Sequence, residues 1–390
     1  MPYFNHTLHA ISVTEASYWE RRAFIQAWWA QYADDSHWTP PAYGRLSREL
    51  DPRRDEHLAR LDATLIHIEA LHRTGLSHAR TDQQEIPLTS VLERPLAAAV
   101  AAIDPRRKGR TAHLALANFS SDREAFDILY YHLVESLSAL NYHRFVGPVG
   151  LSPHLGSGLQ VDGWDDWPPL HAPSNPPYMP ELVEARLRPI QEGRLFRTAV
   201  ESPPPPIPPG PAIIRPLDPA RLASDLLPLL VAATENPTAA FPPPDEAEAR
   251  FLLRVLGPAT LAGHLAEVDG VPAGFVLLGP DTAEWARATR GGRSLWRRVL
   301  YASSTRLLGQ SSTAAGRLYF GAVLPTWRRQ GIGSQLWHRA LLAAGERGWE
   351  SLSIGPLWKS KDGGSAGETF LSSRATLLSP MAFRLYEATF

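Results

Sequence analysis

Residues 316–334 read GRLYFGAVLPTWRRQGIGS, and they set the architecture of the second half of the chain. The first nine residues predict a β-strand. A turn with two glycines, Gly331 and Gly333, follows. Apolar residues at helical spacing then run from Ser334 to Arg347. The stretch therefore predicts a strand, a glycine-rich turn and an amphipathic helix.

The turn between this strand and this helix has the composition of an anion site. Gly331 and Gly333 lack a Cβ where a ligand would approach backbone amides, and the helix adds free N–H groups and its dipole. Such a site suits a pyrophosphate, to which Arg328 and Arg329 could add charge-assisted hydrogen bonds. A dinucleotide fingerprint would need a third glycine at position 336, which is Leu336. A Walker loop would need Gly-Lys-Ser/Thr, which this turn lacks. A turn whose glycines serve only its conformation remains the alternative.

A proline-rich segment divides the chain near its midpoint. Consecutive prolines favour extended polyproline II, which forms a semi-rigid spacer. We predict a first domain at 1–201, a linker at 202–211 and a second domain at 212–390. In both halves a strand, a helix and a second strand end on Gly-Pro, at 147–148 and 355–356, which indicates an internal duplication.

Each half predicts the order β-α-β-β-β-α-β, which is an α/β domain with a mixed, mostly antiparallel sheet flanked by helices. We predict that the first half pairs strands 63–71 and 76–79. The second half is expected to pair strands 260–267 and 272–278 around an Asp-Gly turn.

The composition excludes several classes of function. Lysine plus arginine (39) nearly balances aspartate plus glutamate (40), so there is no electrostatic signal for nucleic acid or an anionic membrane. The absence of cysteine removes disulfides and thiolate chemistry. The histidines show no ligand spacing, so we predict no metal. No long apolar run and no secretory signal are visible, and we predict a cytoplasmic protein.

Residues 320–336 resemble the acyl-CoA signature of the GNAT (GCN5-related N-acetyltransferase) superfamily. In that signature a strand ending in Val-x-Pro precedes Arg/Gln-x-x-Gly-x-Gly/Ala at the start of a helix. Here the sequence reads VLP at 323–325 and RRQGIG at 328–333. The resemblance implies that the amides of 330–334 hold the CoA pyrophosphate and that the strand near Val323 pairs with the pantetheine arm. The implied acetyl-CoA-binding residues are Val323, Arg328, Arg329, Gln330, Gly331, Ile332, Gly333 and Ser334.

The first half is similar to a GNAT domain that has lost this signature. Between its strand and helix the sequence reads NFSS at 118–121, with neither a glycine pair nor a basic pair. We therefore predict a tandem arrangement in which the first domain binds no CoA and serves support or acceptor selection.

The resemblance also implies candidates for proton transfer. GNAT enzymes often use a glutamate on or beside the signature strand as a base, and residues 318–323 contain no carboxylate. Glu350 precedes the neighbouring strand and is the candidate, with Glu235, Glu267 and Glu368 as alternatives. Many GNAT enzymes use a tyrosine as acid within Ala-x-x-x-Tyr-Glu of the last helix, which Tyr386 matches here.

Two placements of the last helix compete. If it contains Tyr386, no residues remain for the closing strands of the sheet. If it lies at 366–371, residues 376–390 can form those strands, and Phe370 takes the donor position. We favour the second placement because an unpaired sheet edge is costly. Tyr386 is then an ordinary strand residue.

A long connection, 280–315, predicts one or two arginine-rich helices, and 83–110 is its counterpart in the first half. These segments either pack the domains together or form a wall of the acceptor pocket, in which case the arginines favour an anionic acceptor.

The sequence predicts an acyltransferase that moves acetyl from acetyl-CoA to a small-molecule or peptide amine. A non-catalytic acyl-CoA-binding or regulatory protein is the alternative. No nucleic acid or membrane partner is expected, and the sequence leaves the acceptor and the oligomeric state open.

Overall fold

A computed structural model describes most of the 390 residues. The residues outside this description are 1–4, 74–76, 82–83, 89–90, 107–109, 201–208, 219–220, 235–242, 258–260, 308–312 and 360–364. Most of the predicted linker and the alternative base Glu235 lie outside the described residues.

The described part of the first half contains nine strands and five helices. The strands are β1 (Asn5–Ser12), β2 (Asp62–Arg73), β3 (Ser77–Thr81), β4 (Gln84–Leu88), β5 (Val91–Ile103), β6 (Thr111–Phe119), β7 (Arg144–Val149), β8 (Leu159–Asp162) and β9 (Arg188–Ala199). The helices are α1 (Tyr18–Ala30), α2 (Tyr43–Glu49), α3 (Glu56–Arg60), α4 (Arg123–Ala139) and α5 (Met179–Glu184).

The described part of the second half repeats this plan with six strands and six helices. The strands are β10 (Ile213–Pro216), β11 (Ala262–Val268), β12 (Val271–Pro280), β13 (Ala315–Val323), β14 (Ser351–Trp358) and β15 (Leu378–Thr389). The helices are α6 (Leu222–Thr234), α7 (Glu246–Leu256), α8 (Ala283–Thr289), α9 (Leu295–Leu307), α10 (Ile332–Glu346) and α11 (Ala366–Ser372).

One mixed sheet of 13 strands runs through both halves. Its order is β1-β2-β5-β6-β7-β15-β9-β14-β13-β12-β11-β10, with β8 paired to β15, and β3 and β4 form a separate ribbon. The pairs β6–β7 and β13–β14 are parallel, and the other pairs in the described residues are antiparallel. This confirms the predicted α/β class with a mixed, mostly antiparallel sheet.

The two halves exchange their last strands. Strand β15, from the end of the chain, pairs with β7 of the first half, where Tyr386 lies opposite Gly147. Strand β9, from the end of the first half, pairs with β14 of the second, where Thr198 lies opposite Leu352. β9 and β15 also pair with each other. Hydrogen bonding therefore crosses the predicted division at 202–211, which itself stays a prediction.

The central helices bury the faces that their sequences predict. In α10, Leu336, Ala340 and Ala344 are buried in one core with strands β11, β12 and β14. In α4, Phe126, Leu129, Leu133 and Leu137 are buried in the core of the first half. Apolar side chains three and four positions apart share one face of a helix, so both faces could be derived from spacing.

Two predictions for the first half are wrong. Strand β2 does not pair with the segment after it but with β5, from Asp62–Ile103 to Arg73–Val91. The segment 83–110 is not a helical counterpart of 280–315, because β4 and the 13-residue β5 lie there. Alanines dominate the middle of β5 and are fully buried between neighbours, so the strand lacks the β-branched pattern by which strands are predicted.

The favoured placement of the last helix is confirmed. α11 occupies Ala366–Ser372, and residues 378–389 form β15. One strand, not several, closes the sheet after α11, because β9 fills the position beside β14. The predicted helices of the 280–315 connection are α8 and α9.

No helix in the described residues is both long enough and apolar enough to cross a membrane.

Candidate functional site

The helix α10 begins without a side-chain cap. Gly331 is its N-cap residue, with φ 83° and ψ −9°, and the first turn contains no acidic residue. The N–H groups that open a helix have no carbonyl partner within it. The start of α10 can therefore offer N–H groups and the positive end of the helix dipole to an anion.

The turn also requires glycine at position 331, and the space beside Gly333 is tight. A Cβ at Gly331 would lie 3.0 Å from the carbonyl oxygen of Pro209, and the residue has the positive φ that favours glycine. A Cβ at Gly333 would lie 3.3 Å from Cε2 of Phe370. Gly331 thus serves the conformation of the turn, and neither glycine adds a side chain beside the start of α10.

The predicted loop residues come together at the end of β13. Arg328 donates from Nε to the carbonyl of Val323 at 3.0 Å, and Gln330 donates to the carbonyl of Thr326 at 3.3 Å. Arg328, Arg329 and Gln330 are exposed, whereas Ile332 is buried. Arg329 can turn toward a bound anion, and Arg328 can do so if it gives up its bond to Val323.

Strands β13 and β14 diverge at the end of β13 that leads to α10. Their pairing runs from Ala315–Ser351 to Leu318–Ile354, and no further pair joins them within the described residues. On the other side β13 keeps its pairing with β12, with one extra residue, Tyr319, between the pairs formed by Leu318 and Phe320. We call the space between residues 319–323 and 355–358 the second fork.

The first half contains the corresponding first fork, between residues 116–119 of β6 and the end of β7. Its parallel pairing ends at Ala115–Val149. The helix behind it, α4, begins differently from α10. Asp122 is the N-cap, its carboxylate accepts from the N–H of Ala125 at 3.0 Å, and Glu124 stands in the first turn. This negative charge at the helix start opposes an anion.

A further basic side chain beside α10 was missed in the sequence. Arg374, just after α11, donates from Nε to Oγ of Ser334 at 3.0 Å and lies 4.1 Å above the ring of Phe370. It belongs to no motif and stands forty positions from Ser334. The signal that could have identified it is the placement of α11, which puts Phe370 against Gly333.

The two catalytic candidates lie away from the second fork. Tyr386 is buried in the core of the first half, and its hydroxyl donates to Oε1 of Glu184 at 3.0 Å. Burial and this carboxylate raise the pKa of Tyr386 above its usual range. Glu350 is exposed at the paired end of β14, where its carbonyl accepts from the N–H of Val200 at 2.9 Å.

The alternative bases that the structure describes form ion pairs. Glu267 pairs with Arg215 at 3.0 Å across β10 and β11. Glu368 lies in α11, 3.7 Å from Arg194 of β9. Arg194 lies opposite Leu357 of the second fork, and a Cβ at Gly367, next to Glu368, would lie 3.4 Å from Leu357. Glu368 therefore stays a candidate base beside this fork, whereas the contact of Glu267 lies away from it.

One group of potential metal ligands forms across β1 and β2. His9 lies opposite His67 with their rings stacked at 4.5 Å, and donor atoms of these two and Glu69 lie within 4.8 Å of one another. Burial and the neighbouring His9 lower the pKa of His67 to about 4. Strand pairing rather than sequence spacing brings the three together, and the expected absence of a metal stays a prediction.

The sequence model of the acetyltransferase (GNAT) family matches residues 229–355, which span α7, β13 and α10. The second half contains a GNAT domain. Solved structures extend the likeness to the whole chain. One similar structure is a tandem GNAT protein from the clavulanic acid biosynthesis pathway, which is 11% identical in sequence. The superposition covers 99% of this chain and 98% of that protein, with a TM-score of 0.56.

Another similar structure is a GCN5-related N-acetyltransferase from Sphaerobacter thermophilus, which is 12% identical in sequence. The superposition covers 98% of this chain and 95% of that protein, with a TM-score of 0.50. At these identities the likeness shows the fold alone. The chain thus has the tandem-GNAT fold. A search of curated protein sequences finds no match.

Proposed function

We propose that this chain is an acyl-CoA-dependent acyltransferase that binds acetyl-CoA in its second half and transfers the acetyl group to an amine. The observation that carries the proposal is the uncapped start of α10 at the open end of the second fork. The family match over the same residues supports the type of reaction.

The pyrophosphate of CoA fits the start of α10. The N–H groups of 331–333 and the helix dipole would hold its negative charge, while the N–H of Ser334 already donates to the carbonyl of Gly331 at 3.0 Å. Arg329, Arg328 and Arg374 all lie at this helix start, so each could add a charge-assisted hydrogen bond to a phosphate oxygen. Arg328 would then exchange its bond with the carbonyl of Val323 for one with the phosphate.

The second fork fits the pantetheine arm. Among the residues that the structure describes, the edge of β13 between Tyr319 and Val323 has no strand partner on its β14 side. Pantetheine carries two amide groups, which can pair with the backbone of an unpaired edge as another strand would. This arrangement would direct the thioester toward the point where β13 and β14 part.

One acetyl-CoA site per chain is expected. The first fork lies in front of a helix start that Asp122 and Glu124 make negative, and no glycine pair opens the turn before it. A pyrophosphate at that position would meet two carboxylates instead of free N–H groups.

The reaction is tested by measuring the thiol that acetyl-CoA releases in the presence of a panel of amines. Because the chain contains no cysteine, a thiol-reactive dye detects only the CoA product. We expect thiol release above the uncatalysed rate with at least one amine, together with the acetylated amine by mass spectrometry. Tight binding of acetyl-CoA without thiol release from any amine would instead favour the non-catalytic acyl-CoA-binding protein.

A further inference from the structure

Helix α9 exposes four large apolar side chains. Leu295 is 73% exposed, Trp296 70%, Val299 57% and Leu300 50%. Their spacing of one, four and five positions puts them on one face of the helix. Single apolar side chains are common at protein surfaces, whereas a contiguous exposed group of them marks a contact surface. We call these four residues the α9 face.

The α9 face points away from the rest of the protein. Successive residues of a helix are rotated by about 100°, so the face covers an arc of about 140° and Tyr301 lies on the opposite side. Tyr301 is half-buried, and its pKa is raised by burial and by the charge of Glu284 in α8. The helix therefore packs on α8 through the side that carries Tyr301.

The helix lacks the packing that normally stabilises a helix of its length. All residues from 295 to 300 are exposed, and nothing within the described part of the chain covers the α9 face. Most helices in proteins are stabilised by burying their apolar face rather than by intrinsic propensity. A partner that covers the α9 face would supply this burial.

Arginines border the α9 face on both sides. Arg297 and Arg298 each lie about 60° beyond one edge of the arc. Both are exposed, and neither forms an ion pair among the described residues. Arg297 lines a pocket together with Asp34 and Asp35 of the first half, again without an ion pair to either. The charge on both sides of the apolar arc is therefore positive.

The sequence around α9 is basic as well. Residues 285–307 contain six arginines and no acidic residue, and the next acidic residue is Glu346. The balanced charge of the whole chain, which gave no electrostatic signal for an anionic membrane, conceals this segment. An anionic partner is favoured by its local charge.

The arrangement fits a phospholipid surface better than a second copy of the chain. A helix with Trp and Leu on one face and arginines beside it can lie in the boundary between headgroups and acyl chains. The arginines then reach the phosphates, while their stems stay on apolar surface. In a symmetric dimer through α9, Arg297 and Arg298 of both copies would instead meet with no acidic residue of this segment between them.

We propose that α9 docks this protein on an anionic phospholipid surface. Leu295, Trp296, Val299 and Leu300 enter the boundary between headgroups and acyl chains, and Arg297 and Arg298 bind lipid phosphates. This inference goes beyond the proposed function and does not depend on it, because α9 lies outside the turn that is proposed to hold CoA.

The test is sedimentation of the full chain with vesicles in about 0.1 M salt, where exposed charges still act over about 10 Å. We expect binding to vesicles of equal parts phosphatidylglycerol and phosphatidylcholine, and at least tenfold weaker binding to phosphatidylcholine alone. Trp296→Ser should weaken binding at least tenfold. Trp19→Ser is the matched control, since Trp19 of α1 is also 70% exposed. The double variant Arg297→Gln, Arg298→Gln should weaken binding to the mixed vesicles.

The proposal is overturned if the mixed vesicles do not bind, or if Trp296→Ser and Trp19→Ser bind them equally. Equal binding to phosphatidylcholine alone would also overturn it, because the arginines would then have no role. Analytical ultracentrifugation without lipid tests the other occupant. A dimer that Trp296→Ser dissociates and Trp19→Ser does not would assign the α9 face to a second copy. Acetyl-CoA affinity should be unchanged in Trp296→Ser, so loss of vesicle binding cannot reflect a misfolded chain.

Discussion

Single residues at two helix starts give the two halves opposite electrostatics. α10 opens with Gly331, whose left-handed φ leaves N–H groups without a cap, while α4 opens with Asp122, whose carboxylate occupies that position. A capping carboxylate stabilises a helix by roughly 1 kcal/mol. The first half therefore has a capped helix, and the second has an open helix start that can receive an anion.

Removing the hydroxyl of Tyr386 tests whether this residue is the proton donor. Tyr386→Phe removes the hydrogen bond to Glu184 inside the core of the first half. We expect the free energy of unfolding to fall by about 1 kcal/mol. Because the hydroxyl lies away from the second fork, kcat should change by less than the roughly 100-fold expected for losing a general acid. A drop of 100-fold or more with KM for acetyl-CoA unchanged would restore Tyr386 as the donor.

Glu49 makes the stability of the fold depend on pH. Its pKa is raised from 4.5 to about 7 by burial, so between these values the folded chain binds more protons than the unfolded chain. Stability therefore falls as pH rises from about 4.5 through about 7. Glu49→Gln should lack this loss, which amounts to roughly 2.5 kcal/mol between pH 5 and pH 8.

Urea denaturation at both pH values measures this difference, and Glu56→Gln serves as the exposed control. Identical pH dependence in Glu49→Gln and the unaltered chain would show that Glu49 titrates normally.

At the scale of elements, the structures that depend on local sequence patterns could be predicted. The pairing of strands that are distant in sequence could not. The strand β13, the turn at 325–334 and α10 follow from spacing within 32 residues. The exchange of β9 and β15 does not, because each strand could pair with either half and the sequence contains no local signal for the choice. Arg374 was missed for the same reason, since its place beside Ser334 depends on how α11 packs.

The α7 helix ties the second half to the first through charge. Glu248 is fully buried and accepts from Arg106 at 2.7 Å and from Ser152 at 2.8 Å, both in the first half. Arg254 of the same helix pairs with Asp55. Buried charges need their partners, because removing one partner leaves the other desolvated and unpaired.

Glu248→Ala should therefore lower the free energy of unfolding by roughly 2 kcal/mol, a moderate loss because Arg106 keeps its bonds to Asp104. Glu246→Ala is the matched control on the same helix, where the exposed pair with Arg250 contributes at most about 0.5 kcal/mol. Urea midpoints of the two variants measure the difference. Equal midpoints would mean that α7 is not held by this contact.

At the scale of the whole molecule, one continuous sheet holds two unequal forks. The first fork contains a cavity lined by aromatic and polar side chains and by the ion pair of Arg45 and Glu49, and the second fork leads to an open helix start. Because β9 and β15 join the halves at the centre of the sheet, the two forks have fixed positions relative to each other. The unequal forks indicate that the two halves do different work, and we expect the acyl donor in the second half only.

The central claim, that only the second half binds acetyl-CoA and does so at the start of α10, is tested most directly by calorimetric titration of the intact chain with acetyl-CoA. We predict one site per chain. Gly333→Glu should abolish binding through its side chain and its charge. Gly345→Glu, the same change in the exposed last turn of α10, should keep the single site, and circular dichroism should show both variants folded. A stoichiometry of two, or unchanged affinity in folded Gly333→Glu, would contradict the account.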